Sequence, residues 1–165
     1  MTTALVIGGA ACQSADLATL DGMDFAFRIG INNAAYAFPD LDCACSLHPE
    51  HVPGWKAKRT EAGFQPIEWV SFHEPRFGVT VWQPEPLDAW TRGSSSLYAT
   101  GYALTKVDHV VLAGCPMDDT PNIYRDETRW APYQRYRLGW QKMLPLLKGR
   151  VTSCSGWTAA ELGTP

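Results

Sequence analysis

Two histidines and a glutamate fall within four residues in the segment His48-Pro49-Glu50-His51. Imidazole titrates near neutral pH, and a neighbouring carboxylate can fix its tautomer. His48, Glu50 and His51 are therefore the candidate acid–base residues of the chain. They could bind a metal only with ligands from elsewhere, and no other pair has ligand spacing, so we predict no metal site. The alternative is a hydrogen-bonded loop histidine without chemistry.

A serine-rich turn precedes a helical pattern in the stretch Thr91–Asp118. Serine is a common residue at the start of a helix, whose first amide groups have no partner within the helix and favour an anion. The candidate ligand-binding residues of this turn are Ser94, Ser95 and Ser96.

The same stretch continues into an apolar run, His109–Ala113, that is typical of a parallel strand covered on both faces. An open α/β sheet places ligand-binding side chains just beyond the ends of such strands. Cys115 and Asp118 follow this run and are further candidates.

A glycine turn follows the first strand-like run, Ala4–Ile7. Gly8 and Gly9 would let the backbone approach a ligand, and a helix from about Ser14 to Leu20 would offer its amide groups. The spacing matches neither a dinucleotide fingerprint nor a Walker loop. A tight strand-to-helix turn without a ligand is equally consistent with this motif.

The run from Asp24 to Asn33 is interpreted as a strand that carries Arg28 and leads to Asn32 and Asn33. Arg28 lies among apolar residues, and its guanidinium needs either an internal carboxylate or a bound anion. The two asparagines would either hydrogen-bond a base or sugar, or cap the following turn.

Strand, loop and helix patterns alternate five or six times along the chain. This alternation predicts a three-layer, Rossmann-like α/β domain with a mostly parallel sheet of about five to six strands and helices on both faces. We expect residues 1–165 to form one domain. Most candidate residues leave the carboxyl ends of strands, whereas the opposite loops hold ordinary turn residues, so the candidates should converge on one edge of the sheet.

Composition restricts the range of partners. The 165 residues are 45% hydrophobic and 19% charged, which indicates a globular chain. A net charge of -3 argues against a nucleic-acid partner. No apolar run is long enough for a membrane span. Five cysteines without framework spacing and the lack of a signal-peptide pattern predict a cytoplasmic location. No cofactor is implied.

A segment rich in proline and tryptophan runs from His73 to Gly93. A connection of this length is usually a lid or binding loop, unless it carries a small hairpin, here at Val79–Val81. Its Trp82 and Trp90 would either stack on a base or sugar ring or close the core from outside.

Two of these stretches resemble the large motifs of sialyltransferases. The run ALVIGGAACQSADL followed by DFAFRIGINNA is similar to their first motif, and GSSSLYATGYALTKVDHVVLAGCPMD is similar to their second. The layout also resembles that of small α/β proteins, many of them encoded by phages or prophages. The resemblance implies binding of a cytidine nucleotide or nucleotide sugar by Gly8-Gly9, by Asn32 or Asn33, and by the serines from Ser94 to Ser96.

The leading hypothesis is therefore a nucleotide- or nucleotide-sugar-binding protein, with glycosyltransferase-like activity if it is an enzyme. The serines and helix amides would hold phosphate, and His48 or His51 would act as a general base toward an acceptor hydroxyl. One alternative is a small hydrolase with Ser95 or Cys115 as nucleophile. The other is a non-catalytic protein that binds a small ligand or serves as a phage-related structural component.

Overall fold

The computed structural model describes all 165 residues, which form a seven-stranded, fully parallel sheet with the strand order β5-β4-β3-β2-β1-β6-β7. The strands are β1 (Thr3–Ile7), β2 (Phe27–Ile31), β3 (Cys43–Cys45), β4 (Glu68–Ser71), β5 (Thr80–Val81), β6 (His109–Ala113) and β7 (Val151–Ser153). The Rossmann-like α/β class predicted from the sequence is confirmed, with one or two strands more than expected.

The additional strand is β5. The sequence suggested a hairpin at Val79–Val81, but Val70 and Ser71 of β4 pair in parallel with Thr80 and Val81. The β4–β5 connection therefore crosses over like the others, and it places β5 at one edge of the sheet.

The sheet is wound in two directions from its centre. From β1 the chain moves outward through β2, β3, β4 and β5, and it then returns to add β6 and β7 on the other side of β1. The strand order reverses between β1 and β6. A crevice at this position is the usual ligand site of open α/β sheets.

Helices cover both faces of the sheet. They are α1 (Gln13–Ala18), α2 (Val52–Glu61), α3 (Leu87–Arg92), α4 (Ser94–Ala103), α5 (Tyr133–Leu147) and α6 (Gly156–Leu162). Short 3₁₀ turns occupy Asn32–Tyr36, Pro49–His51 and Pro75–Phe77. None of the helices has both the length and the apolar character needed to cross a membrane.

Alternation along the strands separates the core into two sides. In β1, Ala4 and Val6 belong to a 24-residue cluster that also contains Leu97 of α4 and Trp140 of α5. Leu5 and Ile7 of the same strand point to the other side, beneath α1. A third cluster packs α2 against β3 and β4. The central strands β1, β3 and β6 bury side chains on both faces and are therefore almost continuously apolar.

The tryptophans of the His73–Gly93 segment belong to this core. Trp90 is buried, and Trp82 packs at ring-centroid distances of 5.1 Å from Tyr98 and 5.5 Å from Tyr102. Of the two sequence interpretations, the structure therefore shows that they close the core from outside.

Candidate functional site

A cleft of about 580 Å³ opens at the carboxyl edge of the sheet, where the strand order reverses between β1 and β6. Five segments line it: the loop after β1, the end of β2, the start of α4, the loop after β6 and the connection to α5. They contribute Gly8, Gly9, Ala10, Ile31, Asn32, Asn33, Ser94, Ser95, Ser96, Gly114, Cys115, Pro116, Met117, Thr120, Asn122, Tyr124 and Trp130. Most of the ligand-binding residues predicted from the sequence thus lie together on one cleft.

Backbone strain is concentrated on the same walls. Four non-glycine residues have positive φ, and three of them line the cleft: Asn32 at 50°, Ser94 at 73° and Met117 at 52°. Left-handed backbone is unfavourable for a residue with a side chain, and such residues cluster at ligand sites and active sites. The positive φ angles at these three positions make the cleft a candidate functional region.

The glycine turn after β1 is required by close packing within the protein. A Cβ atom on Gly8 would overlap the carbonyl of Gly114 and the thiol of Cys115, and one on Gly9 would meet Asn122 and Tyr124 about 3 Å away. Gly8 and Gly9 therefore line the cleft with backbone atoms. Other protein atoms already occupy the positions where side chains on these two residues would lie.

One wall was not foreseen from the sequence. The segment from Asp118 to Trp130 supplies Asn122, Tyr124 and Trp130, and backbone hydrogen bonds join it to the glycine turn, from Ala11 to Pro121 and from Ile123 to Gly9. Segments without periodicity give no positional signal. The only sequence cue here was an aromatic and amide composition in a long polar connection.

The chemistry of the lining is polar and uncharged. No lysine, arginine, histidine, aspartate or glutamate is among the lining residues. A ligand in the cleft would therefore contact carboxamides, hydroxyls, backbone groups and two aromatic rings. The Trp130 ring is stacked on Tyr136 at 5.5 Å with an interplanar angle of 8°, which holds it in place at the cleft wall.

The serine-rich turn differs in detail from the prediction. No side chain caps α4, and the Ser94 and Ser96 hydroxyls instead hydrogen-bond each other at 2.6 Å. The Ser95 hydroxyl accepts the backbone N–H of Leu47 at 3.1 Å, so it ties α4 to the loop that follows β3. No histidine nitrogen is hydrogen-bonded to Ser95, so the arrangement needed to activate this serine as a nucleophile is absent.

His48, Glu50 and His51 form one cluster beside the cleft, outside its lining. The Glu50 carboxylate is 3.4 Å from His48 Nδ1 and 3.8 Å from His51 Nε2, and all three side chains are at least half exposed. Partial burial raises the pKa of Glu50, but its own backbone amide and the two imidazoles outweigh that effect and lower the pKa overall. The carboxylate is therefore ionised at neutral pH and available to orient either imidazole.

Three predicted ligand residues lie away from the cleft. Ser14 is exposed on α1. Arg28 is the second residue of β2, so it lies near the opposite edge of the sheet, where its backbone N–H donates to Asp42 and its guanidinium lies 6.0 Å from the Phe25 ring. The sequence grouped Arg28 with residues at the carboxyl ends of strands, but Arg28 lies within β2 itself and not in the loop that follows it. Asp118 is next to the cleft but accepts the N–H of Thr120 within its own loop.

Cys115 lines the cleft but is only 5% exposed. Burial is the main cause of a strongly raised pKa of its thiol, and the nearby Cys12 and Asp16 add to the shift. A thiol in this state is a poor nucleophile, because the thiolate is the reactive form. Cys115 is therefore a poor candidate for the nucleophile of the hydrolase alternative.

Buried polar side chains support the loops around the cleft. The Asp16 carboxylate accepts the Gly114 N–H and the Ser155 hydroxyl, both at 2.8 Å. The Gln13 side chain donates to the Gly8 carbonyl. Helix α1 thus fixes the loops after β1 and β6, and neither contact could be inferred from the sequence pattern.

The fold and the cleft together define a doubly wound α/β protein with a candidate ligand site at its topological switch point. Comparison of the chain with models of known protein families, with curated proteins and with solved structures gave no match. The functional argument therefore depends on the geometry of the cleft.

Proposed function

We propose that the protein binds a nucleotide or a nucleotide sugar in this cleft and, if it is an enzyme, acts as a glycosyltransferase-like transferase. The observation that carries the proposal is the position of the cleft: it opens at the reversal of the strand order, and three strained residues lie on its walls. Open sheets of this type bind nucleotides at this point.

The lining suits the parts of a nucleotide. Tyr124 and Trp130 offer aromatic surface for a base, and Asn32, Asn33 and Asn122 offer amide groups for its polar edge or for the ribose. The start of α4 at Ser94 offers helix amides and hydroxyls to a phosphate.

The acid–base cluster supplies the chemical part of the proposal. His48 or His51, oriented by Glu50, would accept the proton of an acceptor hydroxyl as that oxygen attacks the sugar carbon and the nucleotide leaves. The cluster adjoins the cleft through the Ser46 hydroxyl, which contacts both the His48 backbone and the Asn32 side chain.

Binding is tested by a thermal-shift panel of nucleotides and nucleotide sugars. A true ligand at one hundred times its Kd should stabilise the folded protein by about 2.7 kcal/mol and raise Tm accordingly. Ribose and glucose without a base serve as controls. A panel in which no nucleotide raises Tm would contradict the proposal.

Catalysis is tested on the nucleotide sugar that gives the largest shift, with release of the nucleotide as the measurement. We expect His48→Ala or His51→Ala to reduce turnover about 10²-fold or more while binding stays nearly unchanged. His73→Ala is the matched control, since His73 is also paired with a glutamate but lies in the loop after β4, farther from the reversal of the strand order than the loop after β3. Full turnover in both test variants would exclude the general-base role.

Binding without chemistry is the second candidate. It is favoured by the absence of any charged side chain from the cleft walls, because transfer reactions usually place charge against the leaving phosphate. A ligand that binds tightly but is recovered unchanged after long incubation with a range of acceptors would support this candidate.

A further inference from the structure

A chain of hydrogen bonds joins the acid–base cluster to the cleft. The backbone N–H of His48 donates to Ser46 Oγ at 2.9 Å, and Ser46 Oγ donates to Asn32 Oδ1 at 2.7 Å. Ser46 is completely buried, so its hydroxyl hydrogen must find an acceptor within the protein. The acceptor is Asn32 Oδ1, so the oxygen end of the Asn32 carboxamide faces Ser46.

The other end of the Asn32 carboxamide is left for the cleft. Asn32 Nδ2 donates to no protein atom, and the buried side-chain atoms without a partner are only Ser71 Oγ and Trp140 Nε1. Because Asn32 lines the cleft and its Nδ2 is not buried, this NH₂ group faces the open space.

Asn122, in the connection from β6 to α5, is oriented in the same way. Its Oδ1 accepts the backbone N–H of Tyr124 at 2.9 Å, and a backbone N–H can only donate. The Asn122 NH₂ group therefore also has no hydrogen-bond acceptor within the protein, and it lies close to Gly9. Asn33 is not fixed in this way, because its partner is the Tyr36 hydroxyl, which can donate or accept.

We propose that Ser46 is a positioning residue that locks Asn32 with its NH₂ group toward the ligand, so that the cleft selects a group that offers only oxygen acceptors. This inference rests on the proposed nucleotide site. In a nucleotide such a group is either a phosphoryl oxygen or a base carbonyl, and both accept hydrogen bonds from an amide NH₂. With no cation in the lining, oriented amide donors are the means by which this site recognises acceptor oxygens.

The test measures Kd by calorimetry for uridine 5′-monophosphate, which carries both kinds of oxygen. Asn32→Asp removes the donor and adds a negative charge, but it keeps the shape, the acceptor for Ser46 and a residue type that tolerates the left-handed backbone. Uncharged uridine, titrated with the same variant, separates loss of the donor from repulsion of the phosphate. We expect it to weaken binding about tenfold or more. Ser46→Ala releases the Asn32 amide, and we expect a smaller loss of about threefold to tenfold.

Two further variants separate positioning from a merely structural effect. Ser71→Ala is the matched control, because Ser71 is equally buried at the end of the adjacent strand but its hydroxyl has no partner, and we expect unchanged affinity. In the double variant Ser46→Ala/Asn32→Asp, the Ser46 change should add almost nothing to the loss from Asn32→Asp. Uridine and ribose 5-phosphate, titrated separately, show whether the base carbonyl or the phosphoryl group is the one that Asn32 contacts.

The outcomes distinguish this inference from the proposed function. Wild-type affinity in both Asn32→Asp and Ser46→Ala would overturn the positioning role while nucleotide binding stands. Fully additive losses in the double variant would also overturn it. If Asn32→Asp leaves the affinities for both uridine and ribose 5-phosphate unchanged, the selection for acceptor oxygens is overturned. If the wild-type protein binds no nucleotide, both the inference and the proposed function fail.

Discussion

Arg59 holds in place the segment that carries the cleft asparagines. It is 2% exposed, and its guanidinium donates to the carbonyls of Gln65, Ala35, Phe38 and Pro39 at 2.6–2.8 Å. Burial lowers the pKa of the guanidinium, and Asp40 opposes that effect. A buried cation is tolerated when its donors are satisfied, and here the last three carbonyls belong to the chain that directly follows Asn32 and Asn33. Arg59 therefore supports the cleft from outside its lining.

The environments of the cysteines bear on the hydrolase alternative, for which Cys115 is one of the two candidate nucleophiles. Cys43, Cys45 and Cys115 are buried, and Cys12 and Cys154 are partly buried. Burial, reinforced by Asp16 and opposed by the Ser155 hydroxyl, raises the pKa of Cys12 to about 11. Burial also raises the pKa of Cys154. None of these thiols has the environment of a nucleophile.

We therefore predict slow alkylation of the folded protein. At pH 7.5 iodoacetamide should label Cys12 about 10²-fold more slowly than free cysteine, because the thiolate population falls tenfold for each unit by which the pKa is raised. Labelling followed by mass spectrometry measures the rate, and the protein unfolded in urea, in which all five thiols should react, is the control. Fast labelling of Cys115 in the folded protein would restore the nucleophile hypothesis.

The same shift has a consequence for stability. The folded protein disfavours the Cys12 thiolate, so the stability linked to this thiol is fully present below the ordinary pKa of 9.0. It is lost progressively as the pH rises from 9.0 to about 11, since the unfolded chain releases the proton first.

At the scale of elements, the position of α4 depends on a close crossing with α5. Gly139 lies in the interior of α5, and a Cβ atom there would overlap the backbone of Gly93, the residue that separates α3 from α4. By helix propensity alone, a glycine in the interior of α5 weakens the helix. In the structure Gly139 is the point at which α5 approaches the backbone just before Ser94.

Gly139→Ala should destabilise the protein by about 1–3 kcal/mol, because the added methyl group pushes apart two packed backbones. It should also weaken nucleotide binding, since Ser94 on the cleft wall would move with the α3–α4 junction. Urea denaturation and the calorimetric Kd measure the two effects.

Gly54→Ala is the control for this substitution. Gly54 lies in α2, and a Cβ atom there would meet nothing within 4 Å. This variant should gain up to about 1 kcal/mol through helix propensity alone and bind nucleotide normally. If Gly139→Ala stabilises the protein, then α5 packs less closely against the backbone of Gly93 than the structure indicates.

The helices were predicted from the sequence better than the loops. The pattern from residue 132 to 148 corresponds to α5 at Tyr133–Leu147, and its apolar residues Trp140, Met143 and Leu147 are buried as expected. Helical periodicity is a local property that a sequence displays directly. The two-residue strand β5 displays no such pattern, because its place depends on pairing with β4.

For the molecule as a whole, the alternation of strands and helices was sufficient to predict the sheet and the edge at which polar residues gather. It predicted the glycine turn, the asparagines and the serines on one cleft, because parallel strands all end at the same edge. It did not predict the wall that carries Asn122, since that wall is fixed by contacts across more than 100 residues of chain. It also could not predict the link from Ser46 to Asn32, which depends on where the hydroxyl hydrogen of Ser46 can go.

The uncharged walls of the cleft have a consequence for ionic strength. A site that holds phosphate with lysine or arginine loses affinity as salt screens those charges. The same charges also attract the ligand as it approaches and so speed its association. Here the lining contains no charged side chain, and the whole chain carries a net charge of -3. The Kd for a nucleotide should therefore change by less than about threefold between 50 mM and 500 mM salt. A steep rise of Kd with salt, measured by calorimetry, would mean that charged groups outside the cleft hold the ligand.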